Sequence, residues 1–173
     1  MLKNKLFFFI QALFRNNSFS IFDKLRTVLY RPFFKHMGKR TIICTGSIFK
    51  YPNEIEIGDD CYVGPGTIIV GLGGLKIGNG VLIGANSKIC TTYHKHNDIH
   101  IPIFKQGIGY KPIVIGNNIW MGFDVKILHD TFIDEGCIIG TGSIITSGSK
   151  FPKNACILGM PAKIAKYRSE LNL

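Results

Sequence analysis

The chain has 173 residues, 46% of them apolar and 18% charged, with 20 glycines and a net charge of +10. That length and composition describe one folded domain with a core, and they exclude a disordered or collagen-like chain. The charge invites a nucleic-acid reading, but it is concentrated at one end. Residues 1–40 hold nine of the 21 lysines and arginines against the single acid Asp23, whereas the remainder carries 12 basic and 10 acidic side chains. The main body therefore lacks the broad basic face that phosphate backbones need, and no nucleic-acid partner is expected.

In chain order, the apolar run Leu6 to Phe14 is too short for the ~20 residues of a membrane-spanning helix. No small-residue cleavage site precedes the next polar stretch, so the segment is a poor signal peptide and a cytoplasmic location is expected. Residues 1–40 also hold nine of the 20 aromatics. Leu6, Phe9, Ile10, Leu13 and Phe14 fall at helical spacing, as do Ile21, Phe22, Leu25, Val28 and Leu29 after the capping pattern Ser20-x-x-Asp23. The spacing predicts two short amphipathic helices ended by Pro32. Two readings fit them: a cationic aromatic surface lying on an anionic membrane, at its inner face, or apolar faces packed on the domain's first coil or on a neighbouring subunit. The five cysteines are an odd number without a Cys-x-x-Cys pair, which fits neither a disulfide framework nor a zinc knuckle, and reduced thiols are expected.

From residue 55 the sequence has a period of six. Aliphatic residues open hexads at Ile57, Val63 and Ile69, at Ile77, Ile83 and Ile89, and, after a break, at Ile115, Met121, Ile127, Ile133, Ile139 and Ile145. Gly often follows, and a compact residue often stands four places on, at Cys61, Thr67, Ser87, Val125, Thr131, Cys137 and Ser143. Six is neither a helix period nor strand alternation, so the pattern predicts a solenoid of very short strands, a parallel β-helix. The aliphatic position points inward, Gly relaxes the turning backbone, and only a small side chain fits near the next corner. Cys61 and Cys137 are then corner filler rather than nucleophiles. The break at 91–112 is too long for a coil turn and too polar for the interior, so it is an extruded loop, and it holds His94, His96 and His100.

The hexads over 41–166, the loop TTYHKHNDIHIPIFKQG (91–107), the restart KPIVIGNNIWMG (111–122) and the closing GMPAK (159–163) resemble the hexapeptide-repeat acyltransferases. Within that family the match is to the sugar O-acetyltransferases that modify galactosides, maltose, capsule and lipopolysaccharide. The resemblance implies an all-β fold, a left-handed parallel β-helix with three hexads per coil. Here the helix domain (41–166) follows a short amphipathic helical N-terminal segment (1–40), extrudes one loop and ends in a C-terminal tail (167–173). The resemblance also implies acetyl-CoA as acyl donor, no metal, and a sugar hydroxyl of a cell-surface polysaccharide or its precursor as acceptor. Together with the flat faces of such a prism, it implies a homotrimer with active sites between subunits.

By the same resemblance His94 stands at the family's catalytic histidine. An imidazole uncharged near neutral pH can take the proton as the hydroxyl attacks the thioester carbonyl, while a backbone or side-chain donor holds the oxyanion. His96 matches a second histidine and is a candidate for orienting the base or holding the acceptor. Related loops often carry Asp where Tyr93 stands, so that role is missing or has moved. Trp120 matches a tryptophan lining the family's active-site tunnel, and a ring merely packed on the loop would equally sit beside His94. Phe123 adds to that wall. Thr141 and Thr146 are implied along the pantetheine slot, and Lys163 and Lys166 near the coenzyme's phosphates; the alternative for the lysines is solvated charge. Ser147 replaces a frequent lysine, with Lys150 or Lys153 as substitutes, and acceptor contacts of the galactoside enzymes are not retained at Gly64 and Leu72. Two rival readings are a metal site at His94, His96 and His100 and a non-enzymatic hexapeptide scaffold. No two histidines stand one coil apart at matching positions, which weighs against the first; His94, Trp120 and GMPAK weigh against the second.

Overall fold

The computed structural model describes residues 2–171. Its short strands form three parallel sheets that the chain visits in turn, as the faces of a triangular prism. The first face runs through His36–Met37, Ile55–Ile57, Leu75–Ile77, Ile113–Ile115, Thr131–Ile133 and Lys150–Phe151. The second comprises Ile42–Ile43, Tyr62–Val63, Leu82–Ile83, Trp120–Met121, Ile138–Ile139 and Ala155–Gly159, closed by antiparallel Ala162–Tyr167. The third comprises Ile48–Lys50, Ile68–Val70, Lys88–Cys90, Lys126–Leu128 and Ile144–Ile145. The first strand pairs with Glu56–Ile57, so the coil begins at His36, inside the segment read from sequence as 1–40.

Every aliphatic residue that opens a hexad is buried, and the residues stack in register: Ile57 on Ile77 on Ile115 on Ile133, and Val63 on Ile83 on Met121 on Ile139. The compact residues four places on are buried as well. The Cys61 and Cys137 thiols donate to the Gly78 and Pro152 carbonyls at 3.1 and 3.2 Å, and burial pushes both thiols up.

The glycines directly after the buried aliphatics work differently from the sequence expectation. Gly122, directly after a buried aliphatic, does not have the positive φ of a turn; a Cβ there would lie 2.6 Å from the Thr141 nitrogen, so its role is close approach of neighbouring coils. The turning is done by residues further along each hexad, which take the left-handed conformation: glycines such as Gly66, Gly80 and Gly136, and Asp60, Asn86, Asn118 and Asp124, whose side chains tolerate it.

Two helices, α1 (Leu2–Phe14) and α2 (Ser20–Tyr30), cover the open end of the prism. They dock by faces rotated away from the predicted apolar ones, so that of the predicted residues only Ile10, Phe14, Phe22 and Leu29 are half-buried, with Ile10 and Leu29 packed against the core. Phe7, Gln11, Arg26, Thr27 and Tyr30 are buried, whereas Leu6, Phe9, Leu13, Ile21, Leu25 and Val28 are exposed. The reason is that the first coil presents unpaired sheet edges, which polar side chains satisfy. The Gln11 amide accepts from Phe49 N–H at 2.7 Å and donates to Phe49 C=O at 3.3 Å. Thr27 Oγ1 accepts from Ile43 N–H, and Arg26 donates to Ile43 C=O. The expected Ser20 cap is not made: Phe19 occupies the N-cap position and contributes no side-chain bond. Among the described residues no helix is long and apolar enough to cross a membrane.

Candidate active site

The segment 91–112 is an ordered arm rather than an irregular loop. Thr92–His94 pairs antiparallel with Ile108–Tyr110, and Lys111 N–H donates to Thr91 C=O to close the base. The Gln106 amide nitrogen ties the tip by donating to the carbonyls of Asp98 and Ile101 at 2.8 and 2.7 Å. His94 ends the first strand of the arm and is exposed; His96 Nδ1 lies 2.8 Å from the His94 carbonyl oxygen. No carboxylate bonds the His94 ring among the described residues, in keeping with Tyr93 at the preceding position. His100 is exposed further along the arm. No group of three or more His, Cys, Asp or Glu among the described residues could hold a metal.

The Tyr93 side chain turns onto the coil. Its ring stacks on His129 with centroids 4.3 Å apart, and Ser147 Oγ bonds His129 Nδ1 at 3.0 Å. Gly109, opposite Tyr93 in the hairpin, leaves room for the ring where any Cβ would collide with it. His129 thus fixes the root of the strand that carries His94. Sequence reading used His129 only to weigh a metal site, because nothing in the hexad pattern shows that the arm folds back over it. Partial burial lowers the His129 pKa, aided by Lys111 and opposed by Asp130, which itself pairs with Lys111 at 2.6 Å. The fold therefore favours the neutral ring, a stabilisation complete above the unfolded value of about 6.5 and lost as pH falls from there through the lowered folded value. Wild-type thermal stability is expected to drop, as pH falls below about 6.5, more steeply than that of His129→Phe, which keeps a stacking ring; parallel melting profiles would remove this role.

The remaining candidates fall into a second group. The arm leaves the corner between the third and first faces, where His129, Thr146 and Ser147 also lie. Trp120 is on the second face between Leu82 and Ile138 in register, half-exposed over a cavity of about 350 Å³ that no arm residue lines. The expectation that its ring would pack beside His94 is therefore not met within one chain. Phe123 and Thr141 occupy neighbouring coils at the corner between the second and third faces, with Gly142 N–H donating to Phe123 C=O. Exposed Lys163 and Lys166 lie on the antiparallel strand that closes the second face. Thr141 and Thr146, expected along one slot, stand at opposite ends of the third-face strand Ile144–Ile145, Thr141 in the turn that precedes it and Thr146 directly after it. Of the substitute lysines, Lys153 pairs with Glu135 at 2.8 Å, and Lys150 is exposed on the first face.

A hexad-built parallel β-helix with a histidine-bearing arm and an apolar ledge around a lone tryptophan is the architecture of a hexapeptide-repeat transferase. The chain is 32% identical over 142 residues to the galactoside O-acetyltransferase of Escherichia coli K12, covering 82% of this chain and 68% of that one. It is 29% identical over 169 residues to WcaF of the same organism, whose name assigns it as an acetyltransferase of colanic acid biosynthesis, covering 98% and 89% of the two chains. A galactoside acetyltransferase structure in complex with coenzyme A superposes with a TM-score of 0.83 at 29% identity, covering 96% of this chain and 80% of that one. No protein-family model matches the chain. The chain belongs to the hexapeptide-repeat acetyltransferases, enzymes built on the left-handed β-helix.

Proposed function

We propose that the protein transfers an acetyl group from acetyl-CoA to a sugar hydroxyl of a cell-surface polysaccharide or its precursor, in sites each built from two chains of a cyclic homotrimer. The observation that carries this reading is the division of the candidate residues between two corners. His94, His96 and Thr146 stand on one side of the third face, and Trp120, Phe123, Thr141, Lys163 and Lys166 on the other. Rotation about a three-fold axis brings the first group of one copy to the second group of the next. The second face suits such a contact, because its outward column of Ile42, Tyr62, Leu82, Trp120 and Ile138 carries no charge. Its counterparts include Glu56, Lys76 and Lys150 on the first face and Lys88 and Lys126 on the third.

In this site His94 accepts the proton of the sugar hydroxyl as its oxygen attacks the thioester carbonyl, and coenzyme A leaves as the thiol after proton return. His96 positions the base or the acceptor. Trp120 and Phe123 wall the slot against water, Thr141 and Thr146 flank the pantetheine arm, and Lys163 and Lys166 hold the phosphates. The names of the relatives, a galactoside O-acetyltransferase and a colanic acid acetyltransferase, support a sugar acceptor. The cytoplasm is the proposed location, where the five free cysteines stay reduced. Lys163→Ala with Lys166→Ala is expected to raise the KM for acetyl-CoA while leaving acceptor dependence unchanged, since contacts remote from the reacting carbon contribute uniform binding. Initial rates against both substrates test this; unchanged acetyl-CoA dependence would take the lysines out of the site.

A further inference from the structure

Because α1 and α2 dock through their polar and aromatic faces, their apolar stripes point away from the protein. Leu2, Leu6, Phe9 and Leu13 follow one another along α1 with exposures from 51% to 82%. Ile21 and Val28 flank Leu25 along α2 and are 70% and 63% exposed. A surface helix of a globular domain ordinarily turns such a stripe inward. Here the order is inverted, and two parallel requirements are left unmet by the chain itself: apolar area without cover and positive charge without counter-charge.

The charge around the stripes has one sign. Lys3, Lys5, Arg15 and Lys24 form no ion pair among the described residues, and Asp23, the single acid before Glu54, is held by the buried Arg26 at 2.6 Å. Beside Val28 a cleft of about 310 Å³ opens between α2 and the first coil, lined by Lys24, Arg31 and Arg40 above Ile42. Arg40 pairs with Asp60, whereas Arg31 donates only to the neutral Gly38 C=O at 3.0 Å, which leaves Lys24 and Arg31 at the cleft without a carboxylate partner among the described residues. A second copy of this cap would bring the same cations together. An anionic bilayer instead supplies phosphates to the lysines and hydrocarbon to the stripes.

We propose that the α1–α2 cap is a docking surface for anionic phospholipid membranes. Both helices lie in the plane of the interface with Leu6, Phe9, Leu13, Ile21 and Val28 sunk between the acyl chains, and a headgroup phosphate takes the cleft beside Lys24. At 13 and 11 residues the helices are about 20 and 16 Å long, which suits lying in the interface and not crossing it. The two sequence readings of residues 1–40 are thereby assigned to different faces of the same helices: the face with Phe7, Gln11, Arg26 and Tyr30, edged by Ile10 and Leu29, packs on the first coil, and the exposed apolar stripe meets lipid.

Flotation of the full-length protein with phosphatidylcholine vesicles, with and without phosphatidylglycerol, tests this. Binding is expected with phosphatidylglycerol vesicles only, reversed by high salt, and weakened about fivefold for each of Lys3→Gln, Lys5→Gln and Lys24→Gln. Phe9→Ser with Val28→Ser should abolish flotation without changing oligomeric mass or acetyl transfer to a soluble acceptor. An intact protein that floats with neither vesicle, or with both equally, overturns the proposal. So does a change of oligomeric mass in the Phe9→Ser, Val28→Ser protein, which would assign the stripes to another copy of the chain.

Discussion

Replacing His94 by Ala is expected to lower acetyl transfer by about 10² to 10⁴ while leaving the fold and acetyl-CoA binding intact. The residue is exposed on the arm and supports none of the stacked core, so its loss removes a base and no packing. The double proton-and-thioester chemistry makes the expected loss fall on turnover. His96→Ala, which deletes a ring held 2.8 Å from the His94 carbonyl oxygen, should fall between wild type and His94→Ala. Turnover of thioester with a sugar acceptor, alongside equilibrium acetyl-CoA binding, measures both quantities. A folded His94→Ala protein with near wild-type turnover would move the base to His96 or His100.

The largest stability effect is expected at Arg26. Its guanidinium is fully buried and donates to the carbonyls of Phe14, Asn17 and Ile43 and to the Asp23 carboxylate, at 2.6 to 3.1 Å. One side chain thus fastens the end of α1, the start of α2 and the edge of the first coil. Arg26→Leu keeps most of the volume but leaves three carbonyls and a partly buried carboxylate without donors, a loss of about 3 to 5 kcal/mol. Chemical denaturation measures it, and a loss below about 1 kcal/mol would show that water replaces these bonds readily.

The solenoid was legible because a β-helix writes its packing into a local period: each buried aliphatic from Ile57 to Ile145 has its inward position fixed within its own hexad. The orientation of the terminal helices was not legible. Apolar periodicity selects Leu6, Phe9 and Leu13 as the inner face, but the surface they meet is a sheet edge with free N–H and C=O groups, for which Gln11 and Arg26 are better partners. Polar residues buried for that reason carry no periodic signal. At the site, the motifs name individual residues but not the faces they occupy. Only the three-sheet topology separates Trp120 from His94, and only the hairpin register lays Tyr93 over His129.

The central claim, acetyl transfer in sites shared between chains, is tested most directly by mixing two impaired proteins. His94→Ala lacks the base and Trp120→Ala lacks the opposing wall, so a trimer of either alone has three defective sites. After subunit exchange, about one interface in four pairs an intact His94 with an intact Trp120 from the neighbouring chain. Acetyl-transfer activity of the mixture is therefore predicted to rise to roughly a quarter of wild type, above the mean of the two separate variants. Mixed trimers confirmed by native mass spectrometry, with activity no greater than that mean, would contradict the shared site.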